Sequence, residues 1–163
     1  MRVSGFVPCL TKEGPVPAPD HLIKAVAELA RETEEPFRIS DGVVLGTEMY
    51  LVTAANYQLP ARYTRQVATL GFRVPSSFPD AGPEDSFFLW PADIKLTVAD
   101  PIRNSNDINR AGVDPSIAKG ILDGAVLSFS WHLWNKVPWE RRKHTLVDHY
   151  RHVLRRFEMQ EHD

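Results

Sequence analysis

The sequence predicts an α+β fold in which two amphipathic helices flank an antiparallel sheet of four strands. Apolar residues follow a helical spacing after Asp20, a period of two after Pro36, and a helical spacing again after Thr145. The runs of period two are short, consecutive and joined by turn-forming residues, which is typical of a meander. We therefore expect a sheet over about residues 37–90 and helices near 21–34 and 145–159.

The composition favours a single globular domain spanning residues 1–163. Apolar residues make up 43% and charged residues 25% of the chain, and the formal charge of −2 gives no overall attraction to nucleic acid. No apolar run approaches the roughly 20 residues that cross a bilayer, and the start, MRVSGFVPCL, does not resemble a secretory signal. We expect a cytoplasmic protein that binds neither membranes nor nucleic acid.

Cysteine and histidine usage argues against a metal centre. Cys9 is the only cysteine, which excludes an internal disulfide and a cysteine-rich metal site. Its apolar surroundings favour a small, half-buried hydrophobic role over that of a nucleophile. Three of the six histidines, His144, His149 and His152, lie in a basic C-terminal segment without metal-ligand spacing. The sequence therefore predicts neither a metal nor another cofactor.

The N-terminal part contains an extended lead-in followed by a helix. Residues 1–19 end in GPVPAP, whose prolines disfavour a helix. Asp20 is a candidate N-cap, and Pro36 ends the helical pattern. The apolar residues between them recur at helical spacing: Leu22, Ile23, Val26, Leu29 and Ala30.

Four β-rich runs follow this helix: PFRISDGVVLG, EMYLVTA, RQVATLGFRV and DSFFLW. The last two are separated by PSSFPDAGP, which is rich in turn-forming residues. The third run places alternate apolar residues on one face: Ala68, Leu70, Phe72 and Val74. These features predict the antiparallel meander.

The second half begins with an irregular segment and ends with a helix. Residues 91–124 are dense in Asn, Asp, Pro and Gly, and long ordered loops of this kind are often functional. Thr145 is a candidate N-cap with Asp148 in the first turn. The helical pattern that follows consists of Leu146, His149, Tyr150, Val153, Leu154 and Phe157. We interpret three tryptophans ahead of this helix as packing anchors: Trp131, Trp134 and Trp139.

Residues 126–134, VLSFSWHLW, combine an apolar and a polar pattern, and we call them the strip. In an extended segment, alternate side chains point to opposite faces. One face of the strip would then carry Leu127, Phe129 and Trp131, and the other Ser128, Ser130 and His132. The first face is suited to packing, and the second is suited to chemistry.

The order of helix, meander, irregular loop, strip and helix resembles that of the ubiquitin-conjugating (UBC) fold. In LGFRVPSSFPDAGPEDSFFLW, the pair Phe78-Pro79 and the later Pro83 stand at the spacing of the strand-turn-strand signature of that fold. With the downstream block SWHLWNKVPWERRKHTLVDHYRHVLRRF, the chain is similar to a bacterial UBC-like family encoded beside ubiquitin-like proteins and their activating enzymes. The resemblance covers about Leu22 to Phe157. It implies a UBC-like α+β fold with an irregular active-site loop.

The resemblance also implies a function as a carrier enzyme. Such a transferase accepts the C-terminal acyl group of a ubiquitin-like modifier protein from an adenylating activating enzyme and passes it to an amine. The gene clusters of the family suggest antiphage defence. In the UBC fold the outer face of the first helix helps to meet the activating enzyme, which makes Lys24, Glu28 and Arg31 candidate contacts.

Two departures from the family pattern leave alternatives open. No cysteine follows Cys9, and no His-Pro-Asn motif precedes the strip. An alcohol is essentially un-ionised at neutral pH, so a serine carrier needs a base, and Ser130 with His132 supplies such a pair, with Ser128 as a reserve nucleophile. Candidates for oxyanion or loop support are Asn104, Asn106, Asn109 and Asn135. The alternative is a catalytically inactive adaptor that binds the modifier or the activating enzyme.

Overall fold

The computed structural model describes residues 17–44, 49–90, 93–97, 105–107, 127–130 and 137–159. These residues contain two helices, α1 (Asp20–Thr33) and α2 (Leu146–Met159), and a single sheet of six strands. The strands are β1 (Phe37–Val44), β2 (Met49–Gln58), β3 (Val67–Pro75), β4 (Ser86–Trp90), β5 (Ser105–Asp107) and β6 (Leu127–Ser130). The predicted α+β class, with a helix on either side of the strands in sequence, is confirmed.

The sheet is entirely antiparallel, with the order β1-β2-β3-β4-β6-β5. Its first four strands form the predicted meander, but the expected total of four is wrong. The strip contributes β6, and the region predicted to be irregular contributes β5. The far edge of β4 offers unpaired backbone donors and acceptors, and a strand that also carries apolar side chains satisfies them while extending the core.

The main core lies on the face of the sheet that both helices cover. The predicted apolar face of β3 is confirmed, because all four of its residues are buried. Phe72 of this face lies 4.8 Å from the ring of His149 in α2, and Phe37 of β1 makes an edge contact of 5.1 Å with Tyr150. From α1 the core receives Leu22, Val26 and Leu29. These contacts join the two amphipathic helices to the same sheet face.

The start of α1 differs from the prediction. Pro19 is the N-cap, with an extended backbone, and its carbonyl oxygen accepts hydrogen bonds from the Leu22 and Ile23 amides at 2.9 and 3.1 Å. Asp20 is therefore a residue of the first turn and not the cap, where its charge still suits the helix dipole. Ile23 was expected on the apolar face, yet it is 49% exposed, because the buried stripe follows Leu22, Val26 and Leu29.

The start of α2 agrees with the prediction. The Asp148 amide donates to Thr145 Oγ1 at 3.3 Å, and the Thr145 amide donates to Asp148 Oδ2 at 2.8 Å. This reciprocal arrangement is a capping box, which satisfies backbone donors that the helix leaves free. The first turn of α2 is thus fixed by its local sequence.

The region predicted to be irregular begins with an ordered segment at residues 93–97. Tyr63 and Leu96 form an antiparallel bridge, and the Thr64 amide donates to the Lys95 carbonyl oxygen at 2.8 Å. Arg65 forms an ion pair of 2.7 Å with Asp93. The chain that leaves β4 is therefore held against the connection between β2 and β3. Within the part of the chain that is described, no helix has the length and apolar character needed to cross a membrane.

Candidate functional site

The strand that the strip forms is anchored by its apolar side. Leu127 and Phe129 are buried, and the Phe129 ring stacks on Phe87 of β4 with centroids 4.8 Å apart and planes 4° from parallel. Trp131, which was predicted to share this face, lies outside the described residues. The burial of Leu127 and Phe129 fixes the orientation of β6 in the sheet.

The two serines of β6 pair through the backbone with residues of the neighbouring strands. Ser128 is half-buried and pairs with Phe88 of β4 on one side and with Asn106 of β5 on the other. Ser130 pairs with Ser86 of β4. The backbone register therefore brings three of the predicted site residues onto adjacent positions of two strands: Ser128, Ser130 and Asn106.

Several other predicted residues lie outside the described part of the chain: Cys9, His132, Asn104, Asn109 and Asn135. The interaction of His132 with Ser130 therefore stays a prediction. Lys24, Glu28 and Arg31 are all exposed on α1, and Arg31 forms an ion pair of 3.0 Å with Glu32. Their role as partner contacts also stays a prediction.

A network of polar side chains that no sequence pattern predicts runs from β3 to β4, beside the Ser130 position. The Arg73 guanidinium forms an ion pair with the Glu84 carboxylate, and the Glu84 amide donates to the Arg73 carbonyl oxygen at 3.0 Å. Ser86 Oγ donates to Glu84 Oε2 at 3.5 Å. The Arg73 guanidinium also lies 5.4 Å from the centre of the Phe88 ring, at cation–π distance. A guanidinium, a carboxylate and a hydroxyl thus lead to the cross-strand partner of Ser130.

The charged side chains of this polar network are partly buried. The Arg73 side chain is 15% exposed and the Glu84 side chain 30% exposed, so the ion pair is partly removed from water. A buried charge is tolerated only when it is paired, and here each group neutralises the other. No local pattern in the sequence indicates that this network lies beside Ser130, because that proximity depends on the pairing of β4 with β6.

The turn between β3 and β4 is tied to the segment that follows the strip. The Trp139 ring lies 5.8 Å from Phe78, and its indole N–H donates to the Pro79 carbonyl oxygen. Arg141 forms an ion pair with Asp80 of the same turn. Trp139 is therefore a packing anchor, as predicted, and it holds the chain between the strip and α2 against the turn that contains the Phe78-Pro79 pair.

Among the histidines of the described ranges, the one with the most strongly shifted pKa, His149, belongs to the core. Burial lowers the pKa of His149 to about 3, with a smaller effect of the positive charge of His152. Its ring packs on Phe72, on the sheet face that the helices cover. His149 is therefore not suited to act as a base for the serines, whose neighbours on β4 lie on the alternate face.

Among the described residues, no group of three or more His, Cys, Asp or Glu side chains is arranged to hold a metal ion. The chemistry that these residues offer is that of hydroxyl groups on adjacent strands, supported by a carboxylate and a guanidinium. Comparison with protein-family models, curated proteins and solved structures finds no significant match to the chain.

Proposed function

We propose that the chain is a UBC-like carrier enzyme of a bacterial ubiquitin-like conjugation pathway. It receives the C-terminal acyl group of a ubiquitin-like modifier from an adenylating activating enzyme as an oxyester on Ser130. The order of helix, meander and closing helix supports the proposal, as does the turn with Phe78, Pro79 and Pro83. The observation that carries the choice of site is the pairing of Ser130 with Ser86, in a strand that Leu127 and Phe129 anchor.

The register supports Ser130 over Ser128 as the nucleophile. Ser128 lies in the middle of a three-strand arrangement, paired with Phe88 and with Asn106. Strand β5 begins at Ser105, opposite Phe129, so within the described ranges Ser130 is the last residue of β6 and lies one position past the pairs with β5. An acyl group on a large modifier reaches the end of a strand more readily than its centre.

The proposed loading step is an acyl transfer that needs a base. The Ser130 oxygen attacks the carbonyl carbon of a modifier that the activating enzyme holds as a thioester, a C–O bond forms, and the C–S bond to the thiolate of the activating enzyme breaks. His132 takes the hydroxyl proton and returns it to the leaving thiolate. In the second step an amine attacks the ester carbonyl, a C–N bond forms, and the C–O bond breaks. The departing Ser130 oxygen takes up the proton that the attacking amine loses.

The adaptor is the second candidate function, and two observations favour it. The chain has no cysteine beyond Cys9, and both serines belong to a paired strand and not to an open loop. An adaptor would bind the modifier or the activating enzyme without forming a covalent bond. The exposed α1 residues Lys24 and Arg31 are candidate contacts in either case.

Intact-mass measurement distinguishes the two functions. The chain is incubated with the cognate activating enzyme, the modifier and ATP, with Ser130→Ala as the test variant and Ser128→Ala as the matched control on the same strand. The carrier function predicts an adduct for the wild type and for Ser128→Ala but none for Ser130→Ala. The adaptor predicts no adduct and a binding affinity that Ser130→Ala does not change. Equal loading of the wild type and Ser130→Ala would contradict Ser130 as the nucleophile.

A further inference from the structure

We infer that Ser86 donates the hydrogen bond that stabilises the oxyanion during acyl transfer at Ser130. This inference rests on the proposed carrier function. Ser86 and Ser130 are direct partners across the antiparallel pair of β4 and β6. Directly opposed residues of such a pair belong to the same face, with Cβ atoms about 4.5–5.5 Å apart. The backbone register therefore sets position 86 beside position 130, where the Ser86 hydroxyl can serve an acyl group carried at that position.

The reaction needs such a donor. When the nucleophile attacks the carbonyl carbon, the π electron pair moves onto the carbonyl oxygen, and a donor about 2.7–3.1 Å from that oxygen lowers the barrier. The chain has no His-Pro-Asn motif that would supply an asparagine. A serine hydroxyl provides one O–H donor, and it keeps its proton throughout the step.

The Ser86 hydroxyl is free to serve in this way because its present hydrogen bond is weak. Its bond to Glu84 Oε2 is 3.5 Å long, well beyond the usual 2.5–3.0 Å of a bond between two oxygens. The main partner of the Glu84 carboxylate is the Arg73 guanidinium, with which it forms an ion pair. A full negative charge on an oxyanion would therefore draw the hydroxyl away from Glu84.

Arg73 and Glu84 act as positioning residues in this arrangement. The Glu84 carboxylate would by itself repel an oxyanion nearby, but the Arg73 guanidinium neutralises it. The hydrogen bond from the Glu84 amide to the Arg73 carbonyl oxygen fixes the chain just ahead of Ser86. The contact of the Arg73 guanidinium with the Phe88 ring fixes the position of the arginine side chain in the Arg73–Glu84 ion pair.

The test uses the full chain and p-nitrophenyl acetate, an activated ester that can acylate a serine directly. The measured quantities are the rate of nitrophenolate release, its dependence on ester concentration, and the acetylated residue found by peptide mass mapping. The key variants are Ser86→Thr and Ser86→Val, which have nearly the same shape and differ in the hydroxyl group. Ser76→Ala, in the exposed turn after β3, is the control.

We expect Ser86→Val to slow acetylation of Ser130 by roughly 10²–10³-fold, as for the loss of one oxyanion donor, without changing the half-saturating ester concentration. Ser86→Thr should retain most of the rate, and Ser76→Ala all of it. Equal rates for the Thr and Val variants, with Ser130 still acetylated, would overturn the role of Ser86 and leave the carrier function standing. A loss in Glu84→Gln as large as in Ser86→Val would also overturn it, since the carboxylate would then be the active group. If the wild type is not acetylated at Ser130 and forms no adduct with the modifier, the proposed function fails and the role of Ser86 fails with it.

Discussion

The indole N–H of Trp139 donates a hydrogen bond of 2.8 Å to the carbonyl oxygen of Pro79, a residue 60 positions earlier in the chain. This bond joins the turn between β3 and β4 to the segment that follows the strip. Gly82 lies directly against the same ring, since a Cβ atom at this position would stand 2.5 Å from Trp139 Cδ2. The absence of a side chain at position 82 therefore allows the indole to reach Pro79.

Gly82→Ala should destabilise the protein. The added methyl group overlaps a rigid ring, so either the indole or the turn must shift, and overpacking of this kind costs about 1–3 kcal/mol. The free energy of unfolding from urea titration measures the loss. Ala81→Ser, at the exposed neighbouring position, is the control and should stay within about 0.5 kcal/mol of the wild type. A Gly82→Ala protein as stable as this control would contradict the close packing.

Stability should fall as the pH decreases below about 6.5 because of His149. Burial lowers the pKa of His149 from its ordinary value of 6.5 to about 3 in the folded state, so between these values the unfolded chain binds a proton that the folded chain excludes. The stability is fully present above pH 6.5 and is lost progressively toward pH 3. Relative to the plateau at higher pH, the loss at pH 5 amounts to about 2 kcal/mol.

Replacing the ring tests this dependence. His149→Phe keeps an aromatic side chain against Phe72 and removes the titrating group, so urea unfolding at pH 7 and pH 5 should give more similar free energies than in the wild type. Part of the dependence should remain, because burial also lowers the pKa of His152. His21→Gln, at an exposed position, is the control and should behave as the wild type. An unchanged pH dependence in His149→Phe would show that other groups cause it.

The linkage between carrier and modifier should behave as an oxyester. The adduct should survive mild thiols and be cleaved by hydroxylamine or hydroxide, because an alkyl ester exchanges with thiols far more slowly than a thioester. Ser130→Cys should give an adduct that thiols remove, which places the linkage at position 130. Intact mass before and after each treatment is the measurement. A wild-type adduct that mild thiols release would point to a different nucleophile.

His132→Ala should slow loading by roughly 10²–10⁴-fold, which is typical of a lost general base. The serine hydroxyl needs a proton acceptor, and the strip supplies this imidazole two residues after Ser130. Initial rates of adduct formation measure the effect, and circular dichroism checks that the variant folds. An unchanged loading rate in His132→Ala would show that a group other than His132 accepts the Ser130 hydroxyl proton.

Cys9→Ser should leave loading essentially unchanged. Cys9 precedes α1 in the sequence and is separated from the strip by more than a hundred residues. Rates of adduct formation compared with the wild type are the measurement. Loss of the adduct in a folded Cys9→Ser protein would identify the thiol as the carrier group.

Local sequence was sufficient for the features that depend on neighbouring residues. The capping box of Thr145 and Asp148 was predicted because its groups are three residues apart. The apolar face of β3 was predicted because alternate residues of a strand share a face. The N-cap of α1 was predicted wrongly at Asp20, since Pro19 fills that position with its carbonyl oxygen alone and no side-chain signal marks it.

The sequence by itself thus determined the two helices, the four-strand meander and the alternation of apolar and polar residues in the strip, because each follows from a period of a few residues. Only the tertiary structure decided that the strip pairs with β4 and β5, and that Ser86 lies opposite Ser130. The physical reason is that strand pairing is made by backbone groups, which are the same at every residue. Which strands meet is decided by the burial of side chains distant in the chain, here by Phe87 against Phe129.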